Sequence, residues 1–253
     1  MMKVDAAATA AGVRLISHEL LDSTNAHALM LARQGERGPL WITAQRQSAG
    51  HGRRGRTWVS QPGNLYATLL LASPARPQYW PQLSLVAALA VHDTVVHAAP
   101  GLERRVAIKW PNDLLLDGAK FAGILIEGEG GAEGAVAIGI GINCASHPLE
   151  TDYPATDLAC AGMRIAPGML FSPLSLNMIG RLAQWNRGEG FSSVRCDWIA
   201  RAAGIGEEVR VRLSDRELLG RFEALDDDGA LVLRLAGGGT ASVTAGDVVM
   251  VRT

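Results

Sequence analysis

Four short apolar runs follow one another between Arg105 and Asn143, and their rhythm limits the possible folds of this chain more than any other feature. The runs are RVAIKW, DLLLD, KFAGILIEGE and GAVAIGIGIN, and the turn-forming residues Pro111–Asn112–Asp113 and Asp117–Gly118 separate the first three. Apolar runs of this length between such residues are typical of consecutive strands joined by tight turns. The sequence therefore predicts a mostly antiparallel sheet in this region.

Helical segments accompany the predicted strands over the rest of the first 204 residues. The strand-like VRLISHELL precedes DSTNAHALMLARQG, in which the cap-type residues 22–25 lead into helical apolar spacing and Gly35 is a plausible stop. Leu83–Ala99 carries His92 and Asp93 in its middle, which favours a core helix over a membrane span. The segments LFSPLSLNMIGRLAQW and VRCDWIARA also have helical patterns, although Pro173 obscures where the first begins.

A change of pattern near Gly204–Gly206 predicts a second, smaller domain. Five short β runs follow, namely EVRVRL, LLGRFEAL, ALVLRL, GTASVT and DVVMVR. Five short strands in so short a segment predict a small β-barrel. Because the segment is too short to bury a full core of its own, the barrel depends on the main domain for part of its burial. We therefore expect an α+β protein with a main domain over residues 1–204 and a β-barrel over residues 205–253.

Charge and cysteine usage limit the possible environments and partners. The 24 Lys and Arg residues nearly balance the 25 Asp and Glu residues, so no global field attracts nucleic acid or an anionic membrane. The N-terminus lacks the continuous apolar stretch of a signal peptide. Cys144, Cys160 and Cys196 form no C-x-x-C pair, and the histidines show no metal-ligand spacing. We expect a soluble cytoplasmic protein without a disulfide framework or a zinc site.

The stretch AGHGRRGRTW, residues 49–58, matches parts of two phosphate-binding motifs, and we call it the glycine loop. Its letters fit both G-x-G-x-x-G and a P-loop with Arg56 in the place of Lys. Both motifs require a helix after the last glycine, whereas RTWVSQPGN favours extended structure and a turn. What remains is a loop with Arg53, Arg54 and Arg56 among glycines, suited to an anion such as phosphate or carboxylate. A solvated basic loop or one that docks on nucleic acid is the alternative.

Two lysines extend this cationic set, and an asparagine adds a neutral amide. Lys109 ends an apolar strand, and Lys120 precedes the apolar FAGILIE, where an amine needs an anionic partner such as Glu127 or Asp117. Together with the loop arginines, these lysines are suited to stabilising negative charge that accumulates in a reaction. Asn143, at the end of GIGIN, either approaches phosphate or caps the next turn.

These segments, taken in order, resemble the biotin protein ligases. The motifs are DSTN at residues 22–25, GHGRRG at 50–55 with Trp58, KWPNDL at 109–114, KFAGILIE at 120–127, and GIGIN. The resemblance covers nearly the whole chain, and the ordered set is specific although no single motif is. It implies a largely antiparallel sheet with helices, related to class II aminoacyl-tRNA synthetases, followed by an SH3-like barrel.

The resemblance also implies a two-step reaction. Biotin and MgATP give biotinyl-5′-AMP and pyrophosphate, and a lysine of a biotin carboxyl carrier domain then attacks the mixed anhydride. Adenylation of this kind needs no enzyme nucleophile, and the enzyme supplies positioning and charge neutralisation. A loop that orders over the adenylate protects it from water.

Site residues follow from the resemblance by position in the motifs. Arg53, Lys109 and Lys120 fall at catalytic positions. Biotin-contacting positions are Ser23, Thr24, Asn25, Gln47, Gly50, His51, Gly52, Arg53, Lys120 and Gly123. Positions near ATP and its phosphates are Arg53, Arg56, Trp58, Lys109, Asn112 and Asn143. His51 departs from the family pattern, which has Arg there, so the side chain at this position contributes less positive charge.

The expected partner is the carrier domain, through its acceptor lysine. We expect no binding to nucleic acid or to a membrane. The protein is expected to be a monomer or a homodimer. Some family members repress transcription through an N-terminal winged helix-turn-helix, for which the residues before DSTN leave no room. A lipoate or octanoate ligase shares the fold and the adenylate chemistry, while GRRGR together with KWPND favours biotin. A binding module without catalysis, carrying a basic loop, is the third alternative.

Overall fold

Seven strands of the computed structural model, which describes residues 2–130 and 134–251, form one mixed sheet. The strand bounds are β1 Arg14–Leu21, β2 Leu40–Gln47, β3 Leu65–Ala72, β4 Val106–Lys109, β5 Asp113–Leu116, β6 Ala119–Glu129 and β7 Ala135–Ile142. The spatial order is β1-β2-β3-β7-β6-β5-β4, in which β1 and β2 pair in parallel and every other neighbouring pair is antiparallel. The four apolar runs are therefore four adjacent antiparallel strands, as the sequence predicts.

Helices cover both faces of this sheet. Their bounds are α1 Ala6–Ala10, α2 Thr24–Arg33, α3 Gln82–Ala98, α4 Pro167–Trp185 and α5 Phe191–Ile199. Helix α3 packs against α4 and α5 and against β4, β6 and β7, which explains why its sequence is apolar on nearly every side. Helix α2 packs against β2, β3 and β7, where Ala28 joins a separate cluster with alternate residues of these strands.

The α4 helix begins earlier than the apolar spacing indicates. It begins at Pro167, whose missing N–H is not needed in the first helical turn, and it continues through Pro173. Within residues 2–130 and 134–251, no helix is both long and apolar enough to cross a bilayer.

The last five strands form a second, antiparallel sheet. They are β8 Glu208–Arg212, β9 Glu217–Leu225, β10 Leu231–Leu235, β11 Thr240–Val243 and β12 Asp247–Met250, in the order β11-β10-β9-β8-β12. Val209 and Phe222 belong to the same hydrophobic cluster as α3, and Trp110 Nε1 donates to the carbonyl of Gly229 at 3.1 Å. The second sheet therefore shares its burial with the first. The boundary after residue 204 stays a prediction, and residues 252 and 253 lie outside the described part of the chain.

Candidate active-site cleft

A cleft of about 760 Å³ lies between the N-terminus of α2, the central strands, the glycine loop and the start of β12. Part of this volume is open to solvent, and a concave site lined by convergent polar groups is typical of small-molecule binding. Most of the residues singled out in the sequence line it: Ser23, Thr24, Asn25, Gln47, His51, Gly52, Arg53, Arg56, Trp58, Asn112, Lys120 and Gly123. The cleft therefore joins residues that are far apart in the chain, from Ser23 to Asp247.

The inner end of the cleft is polar because α2 begins there. Ser23 caps the helix, and Thr24 and Asn25 are buried in its first turn. The backbone N–H of Thr24 donates to Gln47 Oε1 at 2.8 Å, and Gln47 Nε2 donates to Ser60 Oγ at 3.0 Å. Hydroxyl and amide groups are thus held in fixed positions at this end.

A buried hydroxyl that the sequence reasoning missed orders these groups. Thr68, fully buried on β3, places its Oγ1 2.7 Å from Asn25 Oδ1 and 2.8 Å from Thr24 Oγ1. Asn25 Nδ2 donates to Glu127 Oε2 at 2.8 Å, so its Oδ1 is the acceptor and Thr68 must be the donor. The Thr24 hydroxyl that Thr68 contacts also donates to Gln47 Oε1 at 3.1 Å, so Thr68 joins the α2 residues to Gln47. The one available signal was a Thr inside the otherwise apolar run NLYATLLLA.

The glycine loop forms a compact hairpin-like turn and no helix. Arg53–Gly55 is a single 3₁₀ turn, and His51 pairs with Thr57 in an antiparallel bridge. This confirms that neither phosphate-binding motif applies. The N–H of Gly52 donates to the carbonyl of Arg56 at 2.7 Å and the N–H of Trp58 to that of Gly50 at 2.9 Å. These two amides are therefore already hydrogen-bonded within the loop, and the arginine side chains supply its positive charge.

Gly50 does not line the cleft but is required by packing next to it. A Cβ on this residue would lie 2.7 Å from Ser60 Oγ and 2.8 Å from Gln47 Nε2. The glycine therefore allows the loop to approach the hydrogen-bonded groups at the inner end of the cleft. His51 approaches the same groups from the loop, with Nε2 3.3 Å from Glu127 Oε1.

The loop arginines converge on Asp247, at the start of β12. Arg56 Nη2 lies 2.6 Å from Asp247 Oδ2, and Arg54 Nη1 lies 3.4 Å from the same oxygen. Arg53 Nη1 donates to Asn112 Oδ1 at 3.1 Å and to the carbonyl of Gly246 at 3.2 Å. Burial favours the neutral acid, but the hydrogen bond from Arg56 and the three arginine charges outweigh it and lower the pKa of Asp247. The C-terminal sheet thus holds the loop over the cleft.

Lys120 has a different partner from those the sequence indicated. Its Nζ lies 2.6 Å from Asp113 Oδ1, whereas Glu127 contacts Asn25 and Asp117 pairs with Arg105. Glu127 is seven residues further along β6, or about 23 Å at the rise of an extended strand, which is too far for contact. A register shift between β5 and β6 brings Lys120 beside Asp113 at the cleft.

Aromatic rings flank the Lys120 ammonium. Its Nζ lies 5.4 Å from the ring centroid of Trp58 and 5.2 Å from that of Tyr153. The side chain is only 15% exposed, so an anion that replaces Asp113 as its partner would meet a desolvated positive charge. Neither Asp113 nor Tyr153 was assigned a role in the site from the sequence.

Lys109 and Asn143 lie beside the cleft without lining it. Lys109 ends β4, and burial lowers the pKa of its ammonium although the charge of Asp113 opposes this. Asn143 Nδ2 donates to the carbonyl of Thr156 at 3.1 Å, so this side chain fastens the loop that follows β7. Asn143 also faces a smaller adjoining cleft that shares Trp58 and Lys120 with the larger one.

Glycines on β6 and β7 make room for the indole of Trp58. A Cβ on Gly141 would lie 2.6 Å from Trp58 Cε2, and one on Gly123 would lie 3.0 Å from Trp58 Cζ3. The indole Nε1 is buried and has no hydrogen-bond partner within the described residues. A buried donor of this kind is rare in folded proteins and is available to a ligand acceptor.

Known proteins are similar to this chain in both sequence and fold. The Biotin/lipoate A/B protein ligase family matches residues 18–143, and the Biotin protein ligase C terminal domain matches residues 204–251. The biotin–[acetyl-CoA-carboxylase] ligase of Paracoccus denitrificans is 43% identical over 221 residues, covering 84% of this chain and 91% of that protein. The bifunctional ligase/repressor BirA of Bacillus subtilis is 36% identical over 232 residues, covering 88% of this chain and 70% of that protein.

A solved structure matches the whole arrangement. The biotin protein ligase of Aquifex aeolicus, in complex with biotin and ATP, superposes with a TM-score of 0.78 at 26% identity, covering 95% of this chain and 99% of that chain. Both sheets are included in a match of this extent. The motifs, the fold and the relatives agree, and this chain belongs to the biotin protein ligase family.

Proposed function

We propose that this protein is an ATP-dependent biotin protein ligase that makes biotinyl-5′-AMP and transfers the biotinyl group to a lysine of a biotin carboxyl carrier domain. The observation that carries the proposal is a single cleft with fixed hydroxyls and amides at its inner end and desolvated cations at its mouth. Biotin has the matching polarity, since its ureido edge is polar and its carboxylate lies at the far end of an aliphatic chain.

In the first step, a carboxylate oxygen of biotin attacks the α-phosphorus of ATP, the bond to the bridging oxygen breaks, and pyrophosphate leaves. We assign the ureido group to Ser23, Thr24, Asn25, Gln47 and the loop around Gly50–Gly52, with Gly123 beside the rings. Lys120 and Arg53 neutralise the carboxylate and the α-phosphate, which otherwise repel each other. Arg56, Trp58, Asn112, Lys109 and Asn143 surround the nucleotide and the leaving group.

In the second step, the neutral amine of the acceptor lysine attacks the anhydride carbonyl. An amide forms, AMP leaves with the bonding electron pair, and the lysine proton passes to solvent. Closure of the glycine loop before this step keeps water from the anhydride.

Mg²⁺ enters this scheme with ATP as its substrate complex. Oxygen donors suit this ion, and the carboxylates that line the cleft are Asp113 and Asp247. Both are paired with cations here, so the triphosphate competes for those cations while Mg²⁺ takes the phosphate oxygens.

The carrier domain is the macromolecular partner in this proposal, in keeping with the near-neutral charge of the chain. That balance provides no general attraction for nucleic acid. The free thiols of Cys144, Cys160 and Cys196 suit a reducing cytoplasm.

Pyrophosphate release tests the proposal directly. The protein is incubated with ATP and Mg²⁺ and either biotin, lipoate or octanoate, without a carrier. Release with biotin alone, together with a tightly held adenylate, is the expected result. Release with lipoate or octanoate instead would assign the protein to that substrate class, and no release with any of them would reject ligase chemistry.

Thr68→Val removes the hydroxyl that orders Asn25 and Thr24 while keeping the side-chain shape. An unsatisfied buried polar group costs about 1–3 kcal/mol, so we expect the KM for biotin to rise about tenfold or more. The KM for ATP should change little. Thr68→Ser keeps the hydroxyl and should retain the parent values, and equal KM values for the Val and Ser variants would contradict the assigned role.

Gly141→Ala places a methyl group against the indole of Trp58. Because that contact would be 2.6 Å, the ring must move, and we expect the KM for ATP to rise more than the KM for biotin. Gly180→Ala on α4 is the matched control, since nothing lies within 4 Å of its added Cβ. An unchanged KM for ATP in Gly141→Ala would argue against the placement of the nucleotide beside Trp58.

A further inference from the structure

Three side chains with metal-binding chemistry meet in the loop between β7 and α4, outside the cleft. One ligand atom from each of His147, Asp157 and Cys160 lies within 4.8 Å of the others. His147 Nδ1 is 2.6 Å from Asp157 Oδ2, and the N–H of Cys160 donates to Asp157 Oδ1 at 2.8 Å. Asp157 is only 3% exposed, whereas Cys160 is open to solvent. The proposed reaction uses none of the three.

No sequence pattern indicated this cluster. We expected no zinc site because the cysteines form no C-x-x-C pair and the histidines lack ligand spacing. The structure instead combines one cysteine with a histidine and an aspartate, which loop folding brings together. Asp157 and Cys160 have the D-x-x-C spacing of a tight turn, comparable with the short spacing between paired ligands in zinc sites.

We propose that His147, Asp157 and Cys160 form a binding site for a borderline-soft divalent cation of the Zn²⁺ class, with water as the fourth ligand. An imidazole nitrogen, a carboxylate oxygen and a thiolate sulfur are the three donor types that Zn²⁺ takes from proteins. The cation replaces the Cys160 thiol proton, which leaves to solvent. With one carboxylate, one thiolate and a neutral imidazole, the loaded site carries no net charge, so its burial costs little.

The hydrogen bonds within the cluster are compatible with this exchange. A hydrogen bond joins the Cys160 thiol to the Asp157 carboxylate and raises the pKa of that thiol. Both the imidazole and the thiol already face the same carboxylate. A cation between them replaces these contacts with shorter coordinate bonds, after small side-chain shifts in an accessible loop.

The three ligands lie at the two ends of segment 147–160, and the backbone of this segment is hydrogen-bonded to the backbone of Lys120. The N–H of Lys120 donates to the carbonyl of Pro154 at 2.8 Å, and the N–H of Thr156 donates to the carbonyl of Lys120 at 2.9 Å. A cation that joins His147 to Cys160 would close the loop around this segment and stiffen it. The metal site itself stands apart from the proposed ligase activity.

Titration of the intact protein with Co²⁺ as the probe tests the site without any substrate. We expect one Co²⁺ per chain, with the thiolate-to-cobalt charge-transfer absorption that oxygen ligands in the cleft cannot produce, and displacement of this signal by Zn²⁺. Cys160→Ser and His147→Ala should each lose the absorption and weaken Zn²⁺ binding by at least about 100-fold. Cys196→Ser, at an exposed cysteine on α5, is the matched control and should keep both.

Alkylation by iodoacetamide, followed by mass spectrometry of the peptides, gives a second readout that does not depend on a variant. Zn²⁺ should protect Cys160 and leave Cys196 reactive. Three results would overturn the proposal: no charge-transfer absorption in the parent, loss of the absorption in Cys196→Ser with retention in Cys160→Ser, or equal reactivity of Cys160 with and without Zn²⁺.

Discussion

Lys120→Ala is expected to lower the rate of biotin-dependent pyrophosphate release by about 100- to 1,000-fold, the range found when a single charge-stabilising donor is removed from an enzyme. The ammonium is largely desolvated between Trp58 and Tyr153, so its charge acts on the reacting anions at a low effective dielectric. Single-turnover release with saturating biotin and ATP measures the effect on the chemical step. A rate within threefold of the parent would contradict the assigned role.

A second variant separates chemistry from folding. Removal of Lys120 leaves Asp113, whose side chain is 19% exposed, without its cation and destabilises the fold by itself. Lys120→Ala combined with Asp113→Asn removes this unpaired charge. We expect the double variant to regain thermal stability and to remain as slow as the single variant. Recovery of the rate in the double variant would show that the unpaired carboxylate, not the missing cation, caused the loss.

Arg53→Gly is expected to release biotinyl-5′-AMP about 10- to 100-fold faster than the parent, since charged hydrogen bonds contribute about 1.5–3 kcal/mol. The guanidinium joins the glycine loop to Asn112 and to the carbonyl of Gly246, so its loss frees the loop from both. The escape of labelled adenylate and the biotinylation of lysines on an unrelated protein measure the effect.

Arg54→Gly is the matched control for this variant. Arg54 lies in the same loop with a φ of 57°, where glycine is favoured, and its side chain is partly exposed. The substitution removes only the 3.4 Å contact of Arg54 with Asp247, while Arg56 keeps its own at 2.6 Å, so we expect the adenylate to be retained as in the parent. Equal release from the Arg53 and Arg54 variants would show that general loop charge, rather than the Arg53 contacts, holds the loop closed.

Local patterns in the sequence predicted the consecutive antiparallel strands and the cationic loop, and the family resemblance added most of the other cleft residues. Apolar runs between turn residues define β4 to β7, and the residues after the glycine loop rule out a helix because they favour extended structure. The capping residues of α2 likewise placed Ser23 and Thr24 correctly at a helix start. These features depend on residues that are close together in the chain, so the sequence alone predicts them.

Pairings that depend on register or on distant segments could not be predicted. The partner of Lys120 follows from a shifted register between two strands, and no local pattern shows which carboxylate faces it. Thr68 is a single hydroxyl in an apolar strand, and its role appears only when α2 packs above it. Asp247 belongs to the second sheet, whereas the glycine loop that it holds follows β2 of the first sheet.

The contact between the glycine loop and Asp247 has a consequence for folding. Arg56 and Asp247 are 191 positions apart, so the loop is fastened only after nearly all of the chain between them is in place. Partial opening of the last strand, of the kind that native-state hydrogen exchange detects, would leave the large sheet intact while it releases the loop. The lifetime of a bound adenylate would then be set by how often β12 detaches, and amide exchange in β12 should slow when the adenylate is bound.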